Sequence, residues 1–384
     1  MSETDPIELS GERLEHSTVP RPLHGGNLAW ASALANCLPG AILDFSASIN
    51  PLGLPASAIA AMQTHLSALC AYPDPSYFKL RSALGQFHHI SPDWILPGNG
   101  SAELLTWAGR ELAELDAVIV PTPAFGDYYR ALQAFQATIV PCPLSLTPEQ
   151  TWVSNEFAVT PTQRIGLLLN NPHNPTGIVQ SPAALLPLLN QFGLVVVDEA
   201  FMDFLLPEQQ QSLIEYVLDY PNLVVLRSLT KFYSLPGLRL GYAIAHPDRL
   251  RRWQQWRDPW SVNTLAAVVG ETVVQDIAFQ QQTWDWLIPA RDQLWQGLAA
   301  LPGLHPYPSA ANFLLVRSQH SVIDLQTQLL QRHQILIRDC LSFPELGDHF
   351  FRVAVRTLSE NQRLLVGLAE VLVNNNVASS DQTD

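Results

Sequence analysis

Cysteine is scarce in this chain. The four present, Cys37, Cys70, Cys142 and Cys340, show neither the paired spacing of a metal site nor the density of a disulfide framework, a usage that fits a reducing compartment. Charge is sparse too, at 15% of residues, and is biased to one sign: 21 Lys and Arg against 35 Asp and Glu give a formal net charge of −14. Such a chain is poorly suited to wrapping nucleic acid or an anionic membrane, so an anionic ligand would have to be met by locally placed arginines. No apolar run approaches the roughly 18 residues of a membrane span. The opening residues are polar and acidic, without the basic-then-apolar order of a leader. No membrane and no nucleic-acid partner is expected, and the expected location is cytoplasmic. A ligand-sensing regulator would need a DNA-binding segment, and the residues before His24 are too few and too acidic to form one.

What the chain has in quantity is apolar surface: 47% of its 384 residues are hydrophobic, enough for a large domain with a smaller one attached. Four unalternating apolar runs, Val118–Val120, Gly166–Asn170, Leu194–Val197 and Leu223–Leu226, are mostly separated by helix-compatible segments. They predict a mainly parallel sheet covered on both faces. Helices are expected over Ser57–Leu69 and Tyr77–His88, and again from about Val262, with Asn263 as a cap. The basic stretch Arg249–Arg257 reads as a solvated face or subunit contact, and Trp284 and Trp286 as packing or interface residues. The last third changes character, with strands at Phe313–Val316, Ile335–Ile337 and Phe351–Val355 and a helical stripe through Val322, Leu325 and Leu329. The expected organisation is a flexible arm over 1–20, an N-terminal segment joining the small domain over 21–54, a large domain over 55–270, a small α+β domain over 271–375 and a tail over 376–384.

Chemistry collects at the ends of the apolar runs, where α/β folds place ligands. After Leu223–Leu226 comes Ser228-Leu229-Thr230-Lys231, with Arg239 further on. Two hydroxyls and a guanidinium around one amine can hold a phosphate beside a group that must react. A surface lysine after a strand would look the same locally, so the other strand ends have to decide. Phe125 follows Val118–Val120, Asn174 follows Gly166–Asn170, and Asp198 ends Leu194–Val197. An aromatic face, an amide, a carboxylate and a lysine are what pyridoxal phosphate needs together. Gly98-Asn99-Gly100-Ser101 opens a helix whose free amides can meet an anion. Glu103 stands where a dinucleotide fingerprint needs its third glycine, which argues against a dehydrogenase. His24, before Gly25 and Gly26, can lie close to a ligand. In the last third, Arg338 follows Ile337 and Arg352 lies within an apolar strand; each needs an anionic partner.

The segments His24–Asn27, Asp44–Pro55, Asn171–Gly177, Asp198–Phe201 and Arg227–Tyr233 together resemble the fold-type I aminotransferase superfamily. Within it they are most similar to the threonine-phosphate decarboxylases of cobalamin synthesis, with histidinol-phosphate aminotransferases as near neighbours. The resemblance runs from about His24 to Leu372. It implies an α/β, fold-type I, pyridoxal 5'-phosphate-dependent transferase fold, and decarboxylation of O-phospho-L-threonine; the alternative is a histidinol-phosphate aminotransferase. It further implies that Lys231 carries the cofactor as a Schiff base, Asp198 pairs with the pyridinium nitrogen, Asn174 bonds the phenolic oxygen and Phe125 stacks on the ring. Gly100, Ser101, Ser228, Thr230 and Arg239 would hold the cofactor phosphate. Tyr72 would reach it from a partner subunit, which makes the expected assembly a homodimer. The substrate carboxylate is expected at Arg352, and the substrate phosphate at Arg338 with His24. Ser48, where the decarboxylase pattern carries asparagine, would leave a shorter polar group near the substrate. Phe201, where aminotransferases carry tyrosine, favours the decarboxylase.

Overall fold

Seven strands make the central sheet of the computed structural model, which describes residues 21–145 and 164–380. The arm expected over 1–20 and the tail end, 381–384, lie outside the described residues. After a short strand β1 (Leu43–Asp44), the sheet is built from β2 (Ile95–Asn99), β3 (Ala117–Thr122), β4 (Ile139–Pro143), β5 (Ile165–Asn170), β6 (Leu194–Asp198), β7 (Leu223–Ser228) and β8 (Leu240–Ala245). The order is β2-β8-β7-β6-β5-β3-β4. Neighbours from β4 to β7 are parallel, while β8 runs antiparallel to both β2 and β7.

The apolar runs follow from burial on both faces. In β6, Val195 and Val197 pack with Val225 and Ile244 on one side, and Val196 packs with Val224 and Ala243 on the other. Helices α4 (Ser101–Leu112), α5 (Gly126–Gln133) and α8 (Pro247–Trp256) cover the second side. The first is covered by α2 (Ala56–His65), α3 (Phe78–His88), α6 (Pro182–Leu189), α9 (Thr264–Val273) and α10 (Ile277–Ala299). Each buried valine contributes roughly 1.5–3 kcal/mol relative to an exposed one. An alternating strand would lose half of that, and so the sequence does not alternate.

A four-stranded antiparallel sheet of β9 (Leu304–Pro306), β10 (Phe313–Ser318), β12 (Arg338–Asp339) and β13 (Phe350–Ala354) lies in the last third, in the order β12-β13-β10-β9. Expected as one strand, Ile335–Ile337 is divided. Its first two residues form β11 (Ile335–Leu336), which pairs in parallel with β1, and after Ile337 the chain changes sheets to become β12. Through that pairing, and through α1 (Leu28–Ala35) packing on α11 (Val322–His333), the N-terminal segment is built into the C-terminal third.

The expected helix at Ser57–Leu69 is α-helical to His65 and then tightens to a 3-10 turn over Leu66–Cys70. Asn263 caps α9 by accepting from the Ala266 amide at 2.8 Å. The basic face of α8 is solvated only in part: Arg251 is exposed, whereas Arg249 and Arg252 pair with Glu111 on α4, and Arg257 pairs with Glu103. Trp284 is buried, donating to the Asp203 carbonyl at 2.9 Å. The last helix, α12 (Leu358–Ser380), carries its backbone into the stretch expected as tail.

Candidate active site

Four parallel-strand ends, or the loops directly after them, converge on Lys231. Asp198 is the last residue of β6 and Ser228 the last of β7, while Lys231 lies on the short helix α7 (Leu229–Phe232). Phe125 caps α5 after β3, and Asn174 lies in the loop after β5. A pocket of about 200 Å3 is lined by His24, Ser101, Phe125, Asp198, Ser228, Thr230, Lys231 and Arg239. Eight of the expected site residues thus share one cavity.

One end of this pocket is a cradle for an anion. The Ser228 and Thr230 hydroxyls lie 2.7 Å apart, and Lys231 Nζ donates to Thr230 Oγ1 at 2.9 Å. Helix α4 begins here with no side-chain cap, leaving its first-turn amides for a ligand. Gly100 has φ +73°, and a Cβ there would fall 2.5 Å from Arg239 Nη2. Its amide also donates to the Arg239 carbonyl at 3.1 Å. Only glycine lets the guanidinium lie over the helix start. Gly241 serves the same end from β8, since a Cβ there would fall 2.5 Å from the Ser101 amide nitrogen.

The same pocket carries a buried acid. Asp198 is held by Tyr128 Oη and the Ala200 amide, each donating at 3.0 Å. Burial pushes its carboxyl up, while the Lys231 cation and both hydrogen bonds pull it down. Tyr128 is itself pushed well above the usual phenol range by burial and by Asp198, so it stays a donor. Lys231 is pulled down to about 8, first by burial and then by the Arg239 and Arg352 cations, against the opposing pull of Asp198. A lysine lowered that far is still mostly protonated at pH 7, but its neutral form is far more populated than that of an ordinary lysine, as suits a carbonyl-reactive amine.

Asn174, Arg352, Arg338, Ser48 and Tyr72 do not line this pocket. Arg352 donates to Asn174 Oδ1 and, at 3.5 Å, to the Ser46 carbonyl. Burial lowers the Arg352 guanidinium to about 10, with Arg338 adding to the effect. Arg338 and His24 line a shared crevice, and His24 is common to it and the Lys231 pocket. The Arg338 guanidinium, however, is turned onto the Pro22 and Leu23 carbonyls and onto Ser342 Oγ. Ser48 is buried with no hydrogen-bond partner for its hydroxyl among the described residues, and it lines neither cavity. Tyr72 is 79% exposed and stacks on Trp260 at 4.5 Å, outside its own chain's pocket.

Three contributors escaped the sequence reading. Tyr128 is one helical turn past Phe125, a spacing that could have flagged it. Asp127 lines the pocket and is held by Arg130. Asn50 donates through its backbone to the Lys231 carbonyl at 3.1 Å and through its side chain to the Phe232 carbonyl at 2.8 Å, pinning α7. No sequence signal distinguishes Asn50 from a turn residue.

Pyridoxal phosphate fits these groups. A hydroxyl, amide and guanidinium cradle suits its phosphate, and a buried carboxylate and a lowered amine line the same pocket. Residues 41–368 match the family model for aminotransferase class I and II. The chain belongs to that family. It is 41% identical to the threonine-phosphate decarboxylase of Salmonella typhimurium, over 91% of this chain and 96% of the relative. It is 30% identical to the adenosylcobalamin biosynthesis bifunctional protein CobDQ of Leptospira interrogans, over 91% of this chain and 41% of that protein. A histidinol-phosphate aminotransferase of Ralstonia nicotianae is 38% identical over 72% of this chain and 74% of its own. The crystal structure of the histidinol-phosphate aminotransferase from Clostridium acetobutylicum superposes with a TM-score of 0.81 at 24% identity, covering 87% of this chain and 100% of that one. The fold is therefore the fold-type I fold of pyridoxal-phosphate enzymes.

Proposed function

We propose that this family member is a threonine-phosphate decarboxylase that converts O-phospho-L-threonine to (R)-1-amino-2-propanol O-2-phosphate and carbon dioxide for cobalamin synthesis. The observation that carries this reading is the likeness to the Salmonella enzyme along nearly the full length of both chains. The buried Arg338 and the half-buried Arg352, facing each other across β12 and β13, support a substrate with two anionic groups.

When bound, pyridoxal phosphate supplies an electron sink for a bond broken at the amino acid's α-carbon. Lys231 is the attachment point, and Asp198, fixed by Tyr128 and the Ala200 amide, is the carboxylate that keeps the ring nitrogen protonated. Asn174 serves the phenolic oxygen, Phe125 the ring face, and Gly100, Ser101, Ser228, Thr230 and Arg239 the phosphate. Arg352 takes the substrate carboxylate, and the crevice of Arg338 and His24 takes its phosphate. Fixing the substrate at two points decides which α-carbon bond is presented for cleavage. Loss of carbon dioxide leaves that carbon one proton short. Lys231 would be the group that returns that proton. Ser48, expected near the substrate, lines neither cavity, and no substrate contact is assigned to it.

The working form is a homodimer in which Tyr72 completes the phosphate site of the partner. The exposed Tyr72 and Trp260 stack, with Leu66, Leu69 and Phe78 also exposed, supports this reading by leaving large apolar side chains open to a second copy. A cytoplasmic location accords with four free cysteines.

Purified protein given O-phospho-L-threonine is expected to release carbon dioxide with no oxo acid present. Turnover only with histidinol phosphate plus 2-oxoglutarate would replace this reading with the aminotransferase one.

A further inference from the structure

A groove of about 470 Å3 shares no lining residue with the Lys231 pocket and is more than twice as large as that pocket, at about 200 Å3. One wall is α10, with Ile288 and Arg291; the other is Val179, Phe204, Leu205 and Leu206. Pockets of this size, mostly apolar and with a few polar groups where two parts of a fold meet, are the usual form of a small-molecule site. Arg291 stands out against these walls. Its Nη1 makes one long bond, 3.4 Å, to the Ala311 carbonyl, and no carboxylate lies within salt-bridge distance among the described residues. Burial lowers its guanidinium, and only the neighbouring Asp292 opposes that. By contrast, the arginines of α8 are matched to acids on α4.

A half-buried cation in an apolar groove is complementary to one kind of occupant. We infer that the groove binds a small organic carboxylate with an apolar body, its carboxylate on Arg291 and its body along Phe204, Leu206 and Ile288. Such a ligand would touch α10 on one side. On the other it would touch segments continuous with the Asn174 loop, through Val179, and with Asp198, through Phe204. It would therefore bridge the two parts of the molecule whose spacing fixes Arg352 against Lys231.

Octanoate titrated calorimetrically into the holoenzyme tests this without reference to turnover. Saturable binding of one octanoate per chain is expected, with octanol at least about tenfold weaker, because the charged hydrogen bonds are missing. Arg291→Leu should weaken octanoate by the same factor and leave octanol unchanged. Ile288→Glu, at a position 40% exposed, should weaken octanoate by like charge without disturbing the core. Either variant must still release carbon dioxide from O-phospho-L-threonine at the wild-type rate. The inference is overturned by absence of saturable binding at millimolar octanoate, or by equal binding of octanol. Indifference to both substitutions, or displacement of octanoate by O-phospho-L-threonine, would overturn it equally, the latter by locating the ligand in the Lys231 pocket.

Discussion

Arg338 and Arg352 are Cα partners across the antiparallel pair of β12 and β13, so their side chains leave the same face of the sheet. Burial lowers both guanidinium groups, and Arg338 further lowers Arg352, to about 10. Neither has a carboxylate within salt-bridge distance among the described residues; their partners are carbonyls, an amide oxygen and a hydroxyl. Two facing cations without an acid are unfavourable until an anion with two charged ends arrives, and a phosphorylated amino acid is one.

Separate replacement of the pair should split the two ends of the substrate. Each charged hydrogen bond contributes roughly 1.5–3 kcal/mol, or about tenfold or more in kcat/KM. Arg338→Gln should abolish competition by inorganic phosphate while leaving inhibition by simple amino acids intact. Arg352→Gln should do the reverse, and it should also disturb Asn174, which it holds. Inhibition constants for both probes in both variants are the measurement; equal losses for both probes in each variant would contradict the division.

The amine of Lys231 should titrate in the cofactor-stripped protein near pH 8 instead of the ordinary 10.5. The midpoint can be read from the rate of reductive methylation at that residue against pH. Arg239→Gln should raise the midpoint, since Arg239 opposes protonation, and Asp198→Asn should lower it. The same shift has a stability consequence. Between about 8 and 10.5 the unfolded chain binds the proton and the folded chain does not, so stability should rise with pH across that window. Lys231→Met should remove this part of the pH dependence in a urea titration.

Gly100→Ala should impair cofactor retention more than it impairs folding. The backbone there, at φ +73° and ψ 163°, is nearly restricted to glycine and costs another residue about 1–3 kcal/mol. The added methyl would also displace the Arg239 guanidinium that it meets at 2.5 Å. Absorbance of the bound cofactor after gel filtration should fall markedly, and Gly53→Ala, also at positive φ but with open space around it, should leave retention unchanged.

Legibility in the sequence followed the physics of each feature. Strands buried on both faces announce themselves as apolar runs, and so β3, β5, β6 and β7 and the chemistry at their ends could be read directly. Strand β8 could not, because its Leu240-Gly241-Tyr242 was absorbed into the lysine motif, and β4 could not because two prolines, Pro141 and Pro143, disguise an edge strand. Long-range support is the least visible. Nothing local in Asn50 points to the Lys231 carbonyl, and nothing in Arg338 tells that the Pro22 and Leu23 carbonyls hold it.

A buried ionic tie beneath the site offers the last test. Arg227, 1% exposed and next to Ser228, lies 3.3 Å from Asp203 and 3.7 Å from Glu199, which follows Asp198. It thereby joins the two segments that carry the lysine and the acid. Burial already pushes both carboxyls up; Arg227 opposes that rise at each, helped at Glu199 by hydrogen bonds from the Ser212 hydroxyl and the Leu213 amide. Arg227→Met would leave the two acids unpaired, a loss of about 3–5 kcal/mol. The sign with pH follows. With folded values raised still further above the unfolded ones, the unfolded chain releases protons that the folded chain keeps, so the variant loses stability as pH rises through the carboxylate range. Urea denaturation at pH 7 and near pH 4 should therefore show the larger deficit against wild type at pH 7. A deficit that is the same at both would mean that Arg227 acts through packing alone.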